Sequence, residues 1–268
     1  MADATSRRDE RPALALRNIV KRFGARGALE DVTLDVAAGR FVSIVGPSGS
    51  GKSTLLNIAA GILPASAGRI EIFGAPLEGI NRRASYMFQQ DVLLPWKTVL
   101  GNVLLGPTLR RHDPIEARES ARRWLDRVGL TGLGNEYPYQ LSGGMRKRVA
   151  LAQCWIVDPD MILMDEPFSA LDVHTRLRME EEILDLWTDS GKTVVFVTHD
   201  LEEAISLSDE VFVLSAGPGS RVVGRYTVDL PRPRGLLDIR TEPRFHEMYR
   251  SIWNDLRREV VKTYERTG

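Results

Sequence analysis

The chain reads as an α/β fold built on a mostly parallel sheet, and three apolar runs predict it. Phe41 to Val45, Met161 to Met164 and Thr193 to Val197 are short, suit buried strands, and each gives way at once to polar residues able to do chemistry. Ligands of open α/β sheets bind beyond the carboxyl ends of the strands, so the residues after each run are the candidate functional groups.

After the first run come Gly46, Pro47, Ser48, Gly49, Ser50, Gly51, Lys52, Ser53 and Thr54, which fit the P-loop pattern. Small residues let backbone N–H groups curl around phosphates, Lys52 reaches the terminal phosphates, and the Ser53 hydroxyl sits on Mg²⁺. Ser53 to Ala60 continues as a helix whose positive end faces the anion. Ala121, Trp124, Leu125 and Val128 recur at i, i+3, i+4 and i+7, with Gly129 as a stop, and predict an amphipathic helix. Leu141 to Gly144 read Leu-Ser-Gly-Gly, a second phosphate-grasping loop without a lysine. The second apolar run ends in Asp165-Glu166: Asp165 is placed to help hold Mg²⁺, and Glu166 to polarise an attacking water near a γ-phosphate. Met179, Ile183, Leu186 and Trp187 mark another helix with a core-facing stripe. The third run ends in Thr198-His199-Asp200, which brings an imidazole to the same edge to sense the γ-phosphate, while His112, His174 and His246 read as structural or surface residues. Asp200 with Glu203 forms a capping-box variant for a helix bearing Leu201, Ala204 and Ile205. Past residue 218, Gly and Pro punctuation leads through Leu230-Pro231-Arg232-Pro233-Arg234 to a helix with Phe245, Met248, Tyr249, Ile252 and Leu256 on one face.

Taken in order, these segments resemble the ATPase subunits of ATP-binding cassette (ABC) transporters. The marks are Phe23 ahead of the P-loop, the P-loop, Gln89 in Tyr-Met-Phe-Gln-Gln-Asp, the Leu-Ser-Gly-Gly signature, Asp165-Glu166, Ser169-Ala170-Leu171-Asp172 and His199. The resemblance covers nearly the whole chain and implies a P-loop NTPase core with a mostly parallel sheet, an antiparallel β subdomain and a helical signature subdomain. It implies ATP and Mg²⁺ as cofactors, Phe23 stacking on adenine, and Gln89 touching Mg²⁺ or the attacking water while its loop meets a membrane partner. Ser142, Gly143 and Gly144 would open a helix and close on the ATP held by a second copy, with Asp172 reaching across the same seam. The working form is then a head-to-tail pair with two ATP molecules between P-loops and signatures. The commonest signature continues with Gln; here Met145-Arg146-Lys147-Arg148 follows, a basic run expected to form a solvated face or partner contacts rather than to bind nucleic acid.

The domain reading is a disordered stretch 1–12, an ATPase domain 13–217 with a helical subdomain 92–156, and a C-terminal extension 218–268. Lys plus Arg number 36 against 36 Asp plus Glu, so no global field draws the chain to nucleic acid or anionic lipid. No apolar stretch approaches the roughly 20 residues of a spanning helix, and Met1 to Pro12 contain no signal-peptide core. The expected place is the cytoplasmic face of the inner membrane, held there through an integral permease that also links to a solute-binding protein. Cys154, the single cysteine, reads as packing. Gln89 to Trp96 and the Pro-Arg-Pro-Arg tail resemble the nitrate, sulfonate and taurine importer branch, with Leu94 and Trp96 expected to line a groove for a short permease helix. The alternative, a soluble cassette ATPase of DNA repair, chromosome maintenance or translation, usually carries a coiled coil or two cassettes, and neither occurs here.

Overall fold

The computed structural model describes residues 11–267, with side chains through 262; most of the expected disordered stretch 1–12 lies outside the described residues. In chain order the first half gives β1 (Leu14–Phe23), β2 (Arg26–Val36), β3 (Phe41–Val45), α1 (Lys52–Ala59), β4 (Ala67–Ile72), β5 (Ala75–Pro76) and β6 (Ala84–Met87). Four helices follow without a strand: α2 (Val99–Val103), α3 (Leu105–Leu109), α4 (Pro114–Arg127) and α5 (Gly143–Trp155). The second half alternates β7 (Met161–Asp165), α6 (Val173–Ser190), β8 (Thr193–Val197), α7 (Leu201–Leu207), β9 (Glu210–Leu214) and β10 (Val222–Thr227), then ends in α8 (Leu236–Ile239) and α9 (Pro243–Thr267).

The strands form a six-stranded sheet ordered β10-β9-β3-β8-β7-β6 and an antiparallel four-stranded sheet ordered β2-β1-β4-β5. In the larger sheet β9, β3, β8, β7 and β6 run parallel and β10 joins β9 antiparallel. The expected α/β fold, mostly parallel with an antiparallel sheet, is thus observed.

The apolar runs have a simple cause. Successive side chains of a strand point to opposite faces, and here both faces are covered. Phe41, Ile162, Met164, Val194 and Phe196 face a core shared with α2, α4, α5 and α6, through Val99, Leu125, Val149 and Met179. Val42, Ile44, Leu163, Val195 and Val197 face a second core, shared with Leu55, Leu56 and Ile58 of α1 and with Leu14, Leu16 and Ile19 of β1. A strand buried on both sides needs apolar residues at every position, which is why alternation is missing from these runs. Trp187 of α6 sets its ring edge against Phe41, centroids 5.8 Å apart.

A third core joins the tail to the sheet: Phe245, Ile252 and Leu256 of α9 pack with Leu201, Ala204 and Ile205 of α7 and with Val211 and Val213 of β9. The Pro-Arg-Pro-Arg segment runs under the C-terminal end of α7. Arg232 pairs with Asp209 at 2.9 Å and donates to Leu207 O at 2.8 Å. Arg234, 6% exposed, donates to the carbonyls of Ile205, Ser206 and Ser208 at 3.2, 3.1 and 2.7 Å.

Candidate functional site

β3 ends at Val45 and the chain turns through the glycine-rich loop into α1. Gly51, just before α1, has φ of 81°, and a Cβ there would stand 2.8 Å from Leu29 Cδ2, so the position requires glycine. Glycine offers no capping side chain. Whereas α4, α5, α6 and α7 are capped by Asp113, Ser142, Asp172 and Asp200, α1 starts without a side-chain cap, leaving its first N–H groups for an external anion. Lys52 is buried; its Nζ donates to Gly46 O at 3.0 Å and Pro47 O at 3.2 Å and lies 3.9 Å from Glu166 Oε1. Burial lowers the Lys52 pKa, and the nearby Glu166 and Asp165 carboxylates oppose that shift.

β7 delivers Asp165 beside this loop. Its Oδ1 accepts from Ser53 Oγ at 2.9 Å and its Oδ2 from the Tyr86 hydroxyl at 3.3 Å. Burial pushes the Asp165 pKa up, opposed by these two hydrogen bonds. Burial likewise raises the Tyr86 phenol, with Asp165 adding to the shift. Tyr86 was not singled out by its sequence position; it reaches Asp165 because β6 is the direct neighbour of β7, Tyr86 opposite Leu163.

Glu166 has φ of 43°, a left-handed conformation that a non-glycine residue holds only when its surroundings impose it, at about 1–3 kcal/mol. Its N–H donates to Val197 O at 2.9 Å, tying the ends of β7 and β8 together. Glu166 Oε2 lies 3.3 Å from Gln89 Nε2 and 3.1 Å from His199 Nδ1. Three adjacent strand ends therefore bring Gln89, Glu166 and His199 to one point, within reach of Lys52. Asp200 caps α7, accepting from the N–H groups of Glu202 and Glu203 at 2.8 and 3.3 Å. The reciprocal half of the expected capping box is replaced: Thr198 Oγ1 accepts from Asp200 N–H at 3.0 Å and donates to the Glu203 carboxylate at 2.5 Å.

Phe23, Ser48, Gly49, Lys52, Gln89 and Glu166 border an open cleft of about 630 Å³. Phe23 is 52% exposed at its mouth, where an aromatic ring can stack on a planar group, and Lys21 Nζ lies 5.0 Å from its ring centroid. Ser142, Gly143, Gly144 and Asp172 are not among the cleft's lining residues. Ser142 Oγ caps α5 by accepting from Met145 N–H at 3.3 Å, and Asp172 caps α6 by accepting from His174 and Thr175 N–H, both at 3.1 Å. Hydrogen bonds from the Thr175 side chain, then from the Thr175 and His174 N–H groups, hold the Asp172 carboxyl below the usual range. The two caps are neighbours, since a Cβ on Gly144 would meet Thr175 Cγ2 at 2.7 Å. The P-loop cleft and the paired starts of α5 and α6 are thus separate places on the chain. His112, His174 and His246 are exposed and lie outside the cleft. The basic run departs from expectation: Lys147 is 3% exposed, Arg146 donates to Leu141 O, and Arg148 pairs with Glu182, all inside the chain.

The donor set fits the groups expected here. Ser53 Oγ and Asp165 Oδ1 are hard oxygen donors, and no cluster of three or more His, Cys, Asp or Glu suited to a metal occurs among the described residues. Such a pair suits an ion like Mg²⁺, which keeps several waters and takes phosphate oxygens as further ligands. An uncapped helix start after a buried strand, with a lysine and an acidic strand end beside it, defines a nucleotide-phosphate site of the P-loop class.

The sequence profile of the family described as ABC transporter matches residues 29–169. A putative ATP-binding protein of Brucella abortus is 40% identical over 96% of this chain and 98% of its own length. The taurine import ATP-binding protein TauB of Pelagibacter ubique is 41% identical over 85% of this chain and 88% of its own. A solved dimeric, post-hydrolysis structure of the ATP-binding cassette MJ0796 with ADP and Pi superposes with a TM-score of 0.71 at 33% identity, covering 81% of this chain and all of that one. The chain belongs to the ABC transporter family, as one of its ATPase cassettes.

Proposed function

We propose that this chain is the ATP-hydrolysing subunit of a solute importer. It works on the cytoplasmic face of the inner membrane, bound to a separate permease that a solute-binding protein supplies. The observation that carries the hydrolytic part is that Gln89 and His199 both reach the Glu166 carboxylate, at 3.3 and 3.1 Å, beside the P-loop cleft. The identity to a taurine import protein favours import of nitrate, a sulfonate, taurine or a related small solute.

The geometry and the family resemblance support the following roles. The free N–H groups at the start of α1 and the Lys52 ammonium bind the phosphates, and Phe23 stacks on the adenine. Ser53 and Asp165 hold Mg²⁺, which neutralises charge on the β- and γ-phosphates when bound. Glu166 orients and polarises the attacking water, Gln89 positions that water or the ion, and His199 contacts the γ-phosphate and fixes the Glu166 carboxylate. Ser142, Gly143, Gly144 and Asp172 complete the site on a second copy. No helix among the described residues is long and apolar enough to cross a membrane, so the permease supplies the span. Its short helix docks in a groove of about 440 Å³ lined by Phe88, Val92, Leu105 and Leu109. Contrary to expectation, neither Leu94 nor Trp96, the latter 72% exposed, lines that groove.

Glu166→Gln tests this reading. The variant keeps ATP binding, loses turnover and, with ATP, carries an integral permease with it from detergent-solubilised membranes. Turnover at the unmutated rate removes Glu166 as the base; recovery of only soluble partners, ribosomes or DNA removes transport.

A further inference from the structure

The least expected feature of the signature region is a buried ammonium. Lys147 is the fifth residue of α5 and 3% exposed. The Lys147 ammonium turns to one short stretch: Nζ donates to Gln89 O at 2.6 Å and to Phe88 O at 3.4 Å, and it forms an ion pair with Asp91 Oδ1 at 3.0 Å. Asp91 is held from a second side by Arg146 Nε at 3.2 Å, and Arg146 in turn donates to Leu141 O at 2.7 Å. Residues 89–92 have no regular secondary structure and make no backbone-to-backbone hydrogen bond to any described residue. The loop carrying Gln89 is therefore fixed from α5 rather than by its own backbone.

We infer that Lys147 is a positioning residue for ATP hydrolysis: it holds the Gln89 backbone so that the Gln89 amide meets Glu166. It touches neither nucleotide nor the reacting atoms and acts only through Gln89, so the inference rests on the roles given above to Gln89 and Glu166. The Gln89 to Glu166 contact is already 3.3 Å long. A loop shift of about 1 Å takes it beyond hydrogen-bonding range, and misplacement on that scale is costly to turnover. Asp91 also explains why the ammonium tolerates burial, since the pair with Lys147 supplies the opposite charge.

The test is a double-mutant cycle on the full chain, with kcat and KM for ATP measured alongside Tm and amide exchange. Lys147→Met keeps the stem and removes the donors. We expect kcat to fall about tenfold with KM changed less than about twofold, as befits lost orientation rather than lost binding. Amides 89–92 should exchange faster while those of α5 remain protected. Gln89→Ala should cause little further loss in the Lys147→Met background, because both changes remove one function. Unchanged kcat in Lys147→Met beside a slow Gln89→Ala variant overturns the role of Lys147 alone, as does full additivity of the two. A fully active Gln89→Ala variant overturns the assignment of Gln89 and the role of Lys147 with it. Should Lys147→Met not fold, Asp91→Asn loosens the same anchor while leaving the lysine in place. The same split between kcat and KM, and the same lack of additivity with Gln89→Ala, are expected from it; an Asp91→Asn protein with unchanged kcat overturns the proposal.

Discussion

At the scale of single residues, the side chains that set the site's geometry are those with more hydrogen-bonding capacity buried than their position suggests. Asn102 is fully buried in α2, yet its amide meets Leu94 N–H at 2.7 Å and the carbonyls of Leu94, Lys97 and Thr98 at 3.0–3.1 Å. It closes the turn that presents Leu94 and Trp96, adding to the turn's own bond from Lys97 N–H to Leu94 O at 3.1 Å. Asn102→Leu keeps the branching of the side chain but takes the amide away from Leu94 N–H and the Lys97 carbonyl, at about 1–3 kcal/mol for a buried orphan group. Denaturant unfolding should show a loss of at least that size, and a change under 0.5 kcal/mol would mean that water replaces the amide. Asn102 and Lys147 share a reason for escaping a reading of the sequence: their partners are main-chain carbonyls and N–H groups, which no side-chain pattern reveals. Asp165, Glu166 and His199 could be read because each ends an apolar strand, so position alone announced them.

At the scale of elements, α7 is held at both ends. Asp200 caps its start beside His199, and Arg232 and Arg234 bind the carbonyls at its finish. Beneath it lie two buried acids, Glu180 of α6 and Glu203 of α7. The groups facing them are Arg240, 2.8 Å from Glu180; Arg176, 3.7 Å from Glu203; Thr198, which donates to Glu203; and Asp200 and Glu202. Burial outweighs the arginines and pushes each glutamate from its ordinary 4.5 to about 7. A folded pKa above the unfolded one means that the native state binds more protons between those values. Stability from this pair is therefore complete below about pH 4.5 and is lost as pH rises toward and through 7. Glu203→Gln should flatten the fall of Tm between pH 5 and 8; an unchanged slope would show that the pair does not titrate there. Elements with strong patterns were anticipated for the same physical reason that they are stable, namely whole faces or whole strands removed from water. β10 gave no such signal, because it is an edge strand half-buried at every other position and contains Gly224 and Arg225. Only its pairing with β9 makes it a strand.

At the scale of the whole molecule, the decisive fact is a separation. The P-loop cleft contains nothing from residues 142–144 or from Asp172, which sit together at the starts of α5 and α6. Two half-sites that cannot meet within one chain are both used if two copies pair head to tail about a two-fold axis, each P-loop facing the other's signature. That arrangement makes a prediction no single-chain site shares. Lys52→Ala should disable the P-loop half and Ser142→Arg the signature half, so either variant alone forms pairs with two broken sites. In a mixed pair, the Ser142→Arg chain contributes an intact Lys52 and the Lys52→Ala chain an intact Ser142. One site is then whole and the other doubly broken. Random pairing makes half of the dimers mixed, each with one working site of two, so an equimolar mixture should recover about a quarter of the unmutated ATPase rate. Glu166→Gln in the Ser142→Arg chain removes the recovery, because the restored site takes its base from the same chain as its Lys52. A mixture no more active than its components would place the signature outside the working site and end the head-to-tail assignment.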